Sequence, residues 1–126
     1  MLSALILAMA AQGAVTPGTA ESIKLCSERA ACSFVVGAER LMFAEPVGAN
    51  PPLRSGFLCH GGWVNRAHAG SSTAEILIQS ADGAWAKRWT PLAPSQCRDF
   101  HRILNIRLRA GDGQSRWQAI YQQRYN

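Results

Sequence analysis

The sequence predicts a mainly β protein: a small antiparallel sandwich of about six to eight strands with a short N-terminal helix, stapled by disulfides. Three observations lead there. From Ser33 onward, apolar and polar residues alternate in short runs separated by Gly, Pro, Asn and Asp, the period-two pattern of strands with one buried face. Two Asp-Gly pairs, at residues 82–83 and 112–113, each sit between such runs, and this dipeptide is the strongest short-range hairpin signal. Four cysteines, Cys26, Cys32, Cys59 and Cys97, occur in only 126 residues.

The first element is read as a leader. "MLSALILAMAAQGAVTPG" is an apolar run closed by small residues, the layout of a secretory signal peptide, although no Lys or Arg precedes it. The expected organisation is a signal peptide over residues 1–14 and a single mainly β domain over 15–126, with the mature chain starting between residues 11 and 15. Gln12 and Gly13 interrupt the run well short of the roughly 20 residues that span a bilayer. No transmembrane segment is expected in the mature chain, which is read as periplasmic or secreted. The Arg, Ala and Gly usage favours a bacterial source.

Export makes an even cysteine count a disulfide framework, with three possible pairings. The preferred set is Cys26–Cys32 with Cys59–Cys97. Loops of those two sizes remove about 2 and about 4 kcal/mol of unfolded-state entropy. Residues 19–32, "TAESIKLCSERAAC", suggest the short helix, with Thr19 as N-cap and Ile23, Leu25 and Cys26 near one face. An unbroken helix would hold Cys26 and Cys32 about 9 Å apart along its axis, beyond disulfide reach. If they pair, the helix ends before Cys32.

"SFVVGAERLMFAEPV" reads as one or two strands bent at Gly37, and "GANPPLRSG" as a loop that Pro51 and Pro52 keep out of a ladder. Two hairpins follow. With a two-residue turn at Asp82-Gly83, Ile76, Ile78, Trp85 and Trp89 share one face. A two-residue turn at Asp112-Gly113 sets Leu108 opposite Trp117 and Leu104 opposite Tyr121. On the outer face Arg109 then lies opposite Arg116, Arg107 opposite Gln118, and Asn105 opposite Ile120. Like charges placed directly across two strands repel unless something acidic lies between them.

That conflict coincides with a lopsided charge. Residues 1–53 hold three Lys or Arg against four Glu, and residues 54–126 hold ten against four carboxylates. Such a field attracts anionic partners. The expected contact surface is therefore the arginine hairpin, Arg107, Arg109, Gln118, Arg116 and Arg124, which suits an anionic polymer, a lipid head group or an acidic protein through bidentate hydrogen bonds. An exported module would not have nucleic acid as its partner, and no cofactor is implied.

Other chemistry is weaker. The run "FLCHGG" resembles the oxyanion-hole segment of lipases and esterases, where N–H groups after a histidine receive negative charge. The chain is too short for their fold, and the nearest approach to a Gly-x-Ser-x-Gly elbow, "GQSRW", falls inside a predicted hairpin. Phe57, Cys59 and Trp63 instead alternate as a half-buried strand bridged across the core. No metal site is expected: on a continuous strand His60 and His68 lie about 26 Å apart, and no ligand-pair spacing is present. A small hydrolase or metal-dependent enzyme using His60, His68 and His101 is the alternative reading to a non-enzymatic binding module. A structural subunit that exchanges a strand at a sheet edge is a third.

Overall fold

The computed structural model describes residues 24–26, 30–44, 50–66, 73–111 and 113–125. The signal-peptide reading of residues 1–14 and His68 lie outside them. Among the described residues there are eight strands: β1 (Lys24–Cys26), β2 (Ala31–Val36), β3 (Arg40–Phe43), β4 (Pro52–Arg66), β5 (Ala74–Ser80), β6 (Thr90–Leu92), β7 (Cys97–Arg109) and β8 (Gly113–Tyr125). They make one sheet in the order β1-β3-β7-β4-β8-β2, with β5 pairing β7 and β6 pairing β5. β1 and β3 run parallel and the other pairs antiparallel.

The expected sandwich is thus replaced by a single sheet curled nearly into a barrel. The reason lies in β4, whose fifteen residues pair with β8 on one edge and β7 on the other. β4 carries two extra residues relative to β8. One is at Gly61, since Trp117 faces His60 while Arg116 faces Gly62, and a second separates the Ser115–Trp63 and Gln114–Asn65 pairs. Bulges of this kind bend a strand and increase its twist. Gly62 takes φ +113°, a conformation open to glycine and strained for residues with a Cβ. The His-Gly-Gly run is therefore a bend in a strand. Pro52 opens β4 opposite Tyr125, a first-strand position where its missing N–H is tolerated, so half of the expected Pro-Pro loop belongs to the sheet.

The predicted N-terminal helix is not formed over the described part of its range: residues 24–26 and 31–32 are extended. The Cys26–Cys32 bridge, with Cα atoms 5.8 Å apart, joins β1 to β2, the two ends of the hydrogen-bonded order. It thereby links the margins of the curled sheet covalently. Cys59 and Cys97 also pair, but not across the core. They are direct cross-strand partners on β4 and β7, with Cys59 half-buried and Cys97 exposed. All four cysteines are oxidised, which suits an oxidising compartment.

Inside, Met42, Phe43, Leu58, Ile76, Ile106, Leu108, Trp117 and Tyr121 form the core. Burying each such side chain contributes about 1.5–3 kcal/mol. Two polar groups complete it. Asn105, expected on the outer face, is fully buried. Its Oδ1 accepts from the Phe43 N–H at 3.0 Å and its Nδ2 donates to the Phe43 carbonyl at 3.2 Å, satisfying β3 where its ladder with β7 has stopped at Leu41. Arg54, also buried, donates to the Leu104 carbonyl at 3.1 Å and places its guanidinium 4.1 Å from the Phe43 ring centroid.

At Gly56, β4 approaches β8 so closely that a Cβ would overlap the Ile120 carbonyl oxygen and lie 2.7 Å from Tyr121 Cα. Gly56→Ala is expected to lower the unfolding free energy by about 3 kcal/mol, at the upper end of ordinary overpacking, read from the urea midpoint. An unchanged midpoint would mean that the two backbones are not in this contact.

Candidate functional site

The two halves of the expected arginine hairpin do not pair. β7 and β8 each hydrogen bond to β4 rather than to each other, so Arg107 and Arg109 face one environment and Arg116, Gln118 and Arg124 another. Arg109 lies opposite Glu75 and Arg107 opposite Leu77 on β5. Arg116 lies between Val35 on β2 and Gly62 on β4. The repulsive Arg109–Arg116 pairing is thereby removed.

Arg107 and Arg109 are occupied within the molecule. The turn after β5 decides how. Gly83 N–H donates to the Ser80 carbonyl and Ser80 N–H to the Ala84 carbonyl, both at 2.9 Å, closing a three-residue turn instead of the expected two-residue one. Asp82 fixes it, accepting from the Ala84 N–H at 3.0 Å and the Ser80 hydroxyl at 2.6 Å. These hydrogen bonds favour the charged carboxylate and hold its pKa below the usual value, the Ser80 bond contributing most. The extra residue places Trp85 opposite Gln79, on the side of Arg107 and Arg109 rather than that of Ile76 and Ile78. The Arg107 guanidinium stacks 4.2 Å from the Trp85 ring centroid and that of Arg109 3.8 Å from Trp89. Arg109 Nε also meets Glu75 Oε1 at 2.8 Å, and Arg107 Nε lies 3.8 Å from Glu39 Oε2. Each stack contributes about 0.5–2 kcal/mol depending on exposure.

The other three predicted residues share a different surface. Along β8 the side chains of Arg116, Gln118, Ile120, Gln122 and Arg124 are exposed while those of Ser115, Trp117, Ala119 and Tyr121 are buried, a direct result of strand alternation. Arg116 and Gln118 have no side-chain partner among the described residues; Arg124 donates weakly to Gln122 at 3.4 Å. Ile120 is 66% exposed and lies directly opposite Phe57, itself 53% exposed. Val35 and Val64, also exposed, border a shallow hollow of about 500 Å³ with Arg116 and Gln118. All four exposed large hydrophobic side chains among the described residues therefore belong to the β2–β8–β4 part of the sheet. The alternation already set Ile120 outward, whereas Phe57 was expected half-buried. Arg116 and Arg124, eight residues apart on one strand, stand about 27 Å from each other.

The two described histidines, His60 and His101, have separate surroundings. His60 is fully buried, packed against Trp117 and Trp63 with ring centroids 4.9 and 5.2 Å away. Its Nδ1 accepts from the Gly62 N–H at 2.9 Å. The exposed His101 lies on β7 with Nδ1 3.4 Å from Ser55 Oγ. Among the described residues no three His, Cys, Asp or Glu side chains gather around a common point, and no helix is long and apolar enough to cross a membrane. No protein-family model, curated protein or solved structure matches the chain.

Burial lowers the His60 pKa below its ordinary 6.5. The folded protein therefore binds this proton less readily than the unfolded chain, so stability is complete above pH 6.5 and is lost as pH falls through the lower folded value. Denaturant midpoints measured across this range are expected to decline toward acid, and His60→Gln is expected to flatten that decline. An equal slope in the variant would assign the acid sensitivity elsewhere.

Proposed function

We propose that the protein is an exported, non-enzymatic binding module whose β2–β8–β4 face engages an anionic amphiphilic surface, with lipid head groups as the partner. One observation carries this reading. The exposed stripe of β8 offers Arg116 and Arg124 for anionic groups at either end of an apolar pair, Ile120 and Phe57, while no carboxylate stands on β8 or on β2 among the described residues. Arginine binds phosphate through a rigid, bidentate fork. Exposed apolar side chains beside it suit a boundary where phosphates overlie acyl chains. The oxidised cysteines support an extracytoplasmic setting.

The test is co-sedimentation with phosphatidylglycerol vesicles against phosphatidylcholine vesicles. The wild-type chain is expected to bind the anionic vesicles selectively and less well at high salt. At about 1 kcal/mol for each basic residue near an anionic surface, Arg116→Gln with Arg124→Gln is expected to weaken binding about thirtyfold, and Ile120→Ser to weaken it with little change in salt dependence. Equal binding to both vesicles, or indifference to the double substitution, would overturn the proposal.

A further inference from the structure

A second basic site lies away from β8. Arg98 follows Cys97 on β7 and faces Leu58 in the ladder with β4. It is two residues before Phe100, so both point to the same side of the strand. Leu58 and Phe100 are buried in the core, and Arg98 is exposed. Arg98 therefore stands just beyond the end of the core, at the mouth of the curled sheet. Its backbone is well fixed: the neighbouring Cys97 is bridged to Cys59, and the preceding turn is docked by hydrogen bonds from Ser95 N–H to the His60 carbonyl and from His60 N–H to the Gln96 carbonyl. Arg88, on the segment between Trp85 and β6, lines the same groove of about 320 Å³ with Ile78, Ala86 and Thr90.

Neither arginine has an acidic partner among the described residues. Among the described carboxylates, Glu39 and Glu75 take Arg107 and Arg109, and Asp82 is held by its turn. Asp99 alternates to the other side of β7, opposite Phe57. Two positive charges are thus left in one concave site, with apolar surface between them. Mouths of barrels are frequent ligand sites, and about 300 Å³ is the lower end of their size range.

The geometry points to a binding site for a phosphorylated small molecule of about sugar size, its dianionic phosphate held between Arg88 and Arg98 and its ring against Ile78 and Ala86. Two guanidinium forks match the three terminal oxygens of a phosphate monoester better than the two of a carboxylate. The site shares no residue with the β8 face, so each can fail without the other.

The test is an amide NMR titration with glucose 1-phosphate, glucose and inorganic phosphate. Glucose 1-phosphate is expected to shift Ser80, Ala86 and Arg98, and glucose is not. Arg88→Ala and Arg98→Ala, both exposed changes whose folding is checked by unshifted core amides, are each expected to weaken binding at least about tenfold, the range of a lost charged hydrogen bond. Lys87→Ala, a neighbouring cation outside the groove, is expected to leave it unchanged. No shift at millimolar glucose 1-phosphate, an equal response to glucose, or equal loss in Lys87→Ala would overturn the proposal. Inorganic phosphate binding as tightly as glucose 1-phosphate would overturn the ring-bearing ligand.

Discussion

The backbones of β7 and β8 both hydrogen bond to β4, one on each edge, and much of the molecule follows from that sharing. A strand flanked on both sides over residues 54–59 cannot lie flat for fifteen residues while its neighbours curve around the core. It bends at its glycines, where Gly62 supplies a positive φ and Gly56 lets β8 approach. The Cys59–Cys97 bridge holds β4 to β7 over a separation of 38 residues, restricting the unfolded chain by about 4 kcal/mol in the loop-entropy model. At the opposite margins, Cys26–Cys32 ties the last strands of the order together.

The same sharing sorts the arginines. Because β7 turns away from β8, Arg107 and Arg109 meet β5 and the segment after it, where indole rings and carboxylates are at hand. Guanidinium groups stacked on tryptophan and facing Glu are already engaged within the molecule. Arg88, Arg98 and Arg116 form no ion pair or guanidinium stack among the described residues; Glu39, Glu75 and Asp82 are engaged elsewhere, and Asp99 stands on the other side of β7 from Arg98, in the row of Phe57 and Ile120. An excess of positive charge without internal compensation costs stability through self-repulsion, and an anionic ligand relieves it. The β8 face and the mouth of the curled sheet are where that relief is available.

What the sequence reveals is what alternation alone determines. Trp117, Ala119 and Tyr121 inward with Arg116, Gln118 and Ile120 outward holds whichever strand lies beside β8, so this face was legible without knowing its partner. The preferred disulfide pairing is the one formed, and it is compatible with Cys26 and Cys32 because the helix expected between them gives way to extended chain over residues 24–26 and 31–32. Pairing partners were not, because an Asp-Gly turn specifies a reversal and cannot specify that the strands stay together beyond it. The turn at Asp82 shows how small the missing information was: one added residue, selected by the Ser80 and Asp82 hydrogen bonds, moves Trp85 from the side of Ile78 to that of Arg107. Asn105 moved inward for a tertiary reason: it bonds the Phe43 N–H and carbonyl beyond the point where the β3–β7 ladder stops, which no local pattern encodes. Arg88 and Arg98 were invisible as a pair because they converge from separate segments.

The separation of β7 from β8 is the central structural claim, since the fate of every arginine depends on it. It is tested most directly by a NOESY spectrum of uniformly labelled protein. Cross-strand backbone contacts are predicted between Phe57 and Ile120, between Leu77 and Arg107 and between Cys59 and Gln118. Contacts between Arg107 and Gln118 or between Arg109 and Arg116 would instead restore a β7–β8 hairpin and contradict the account.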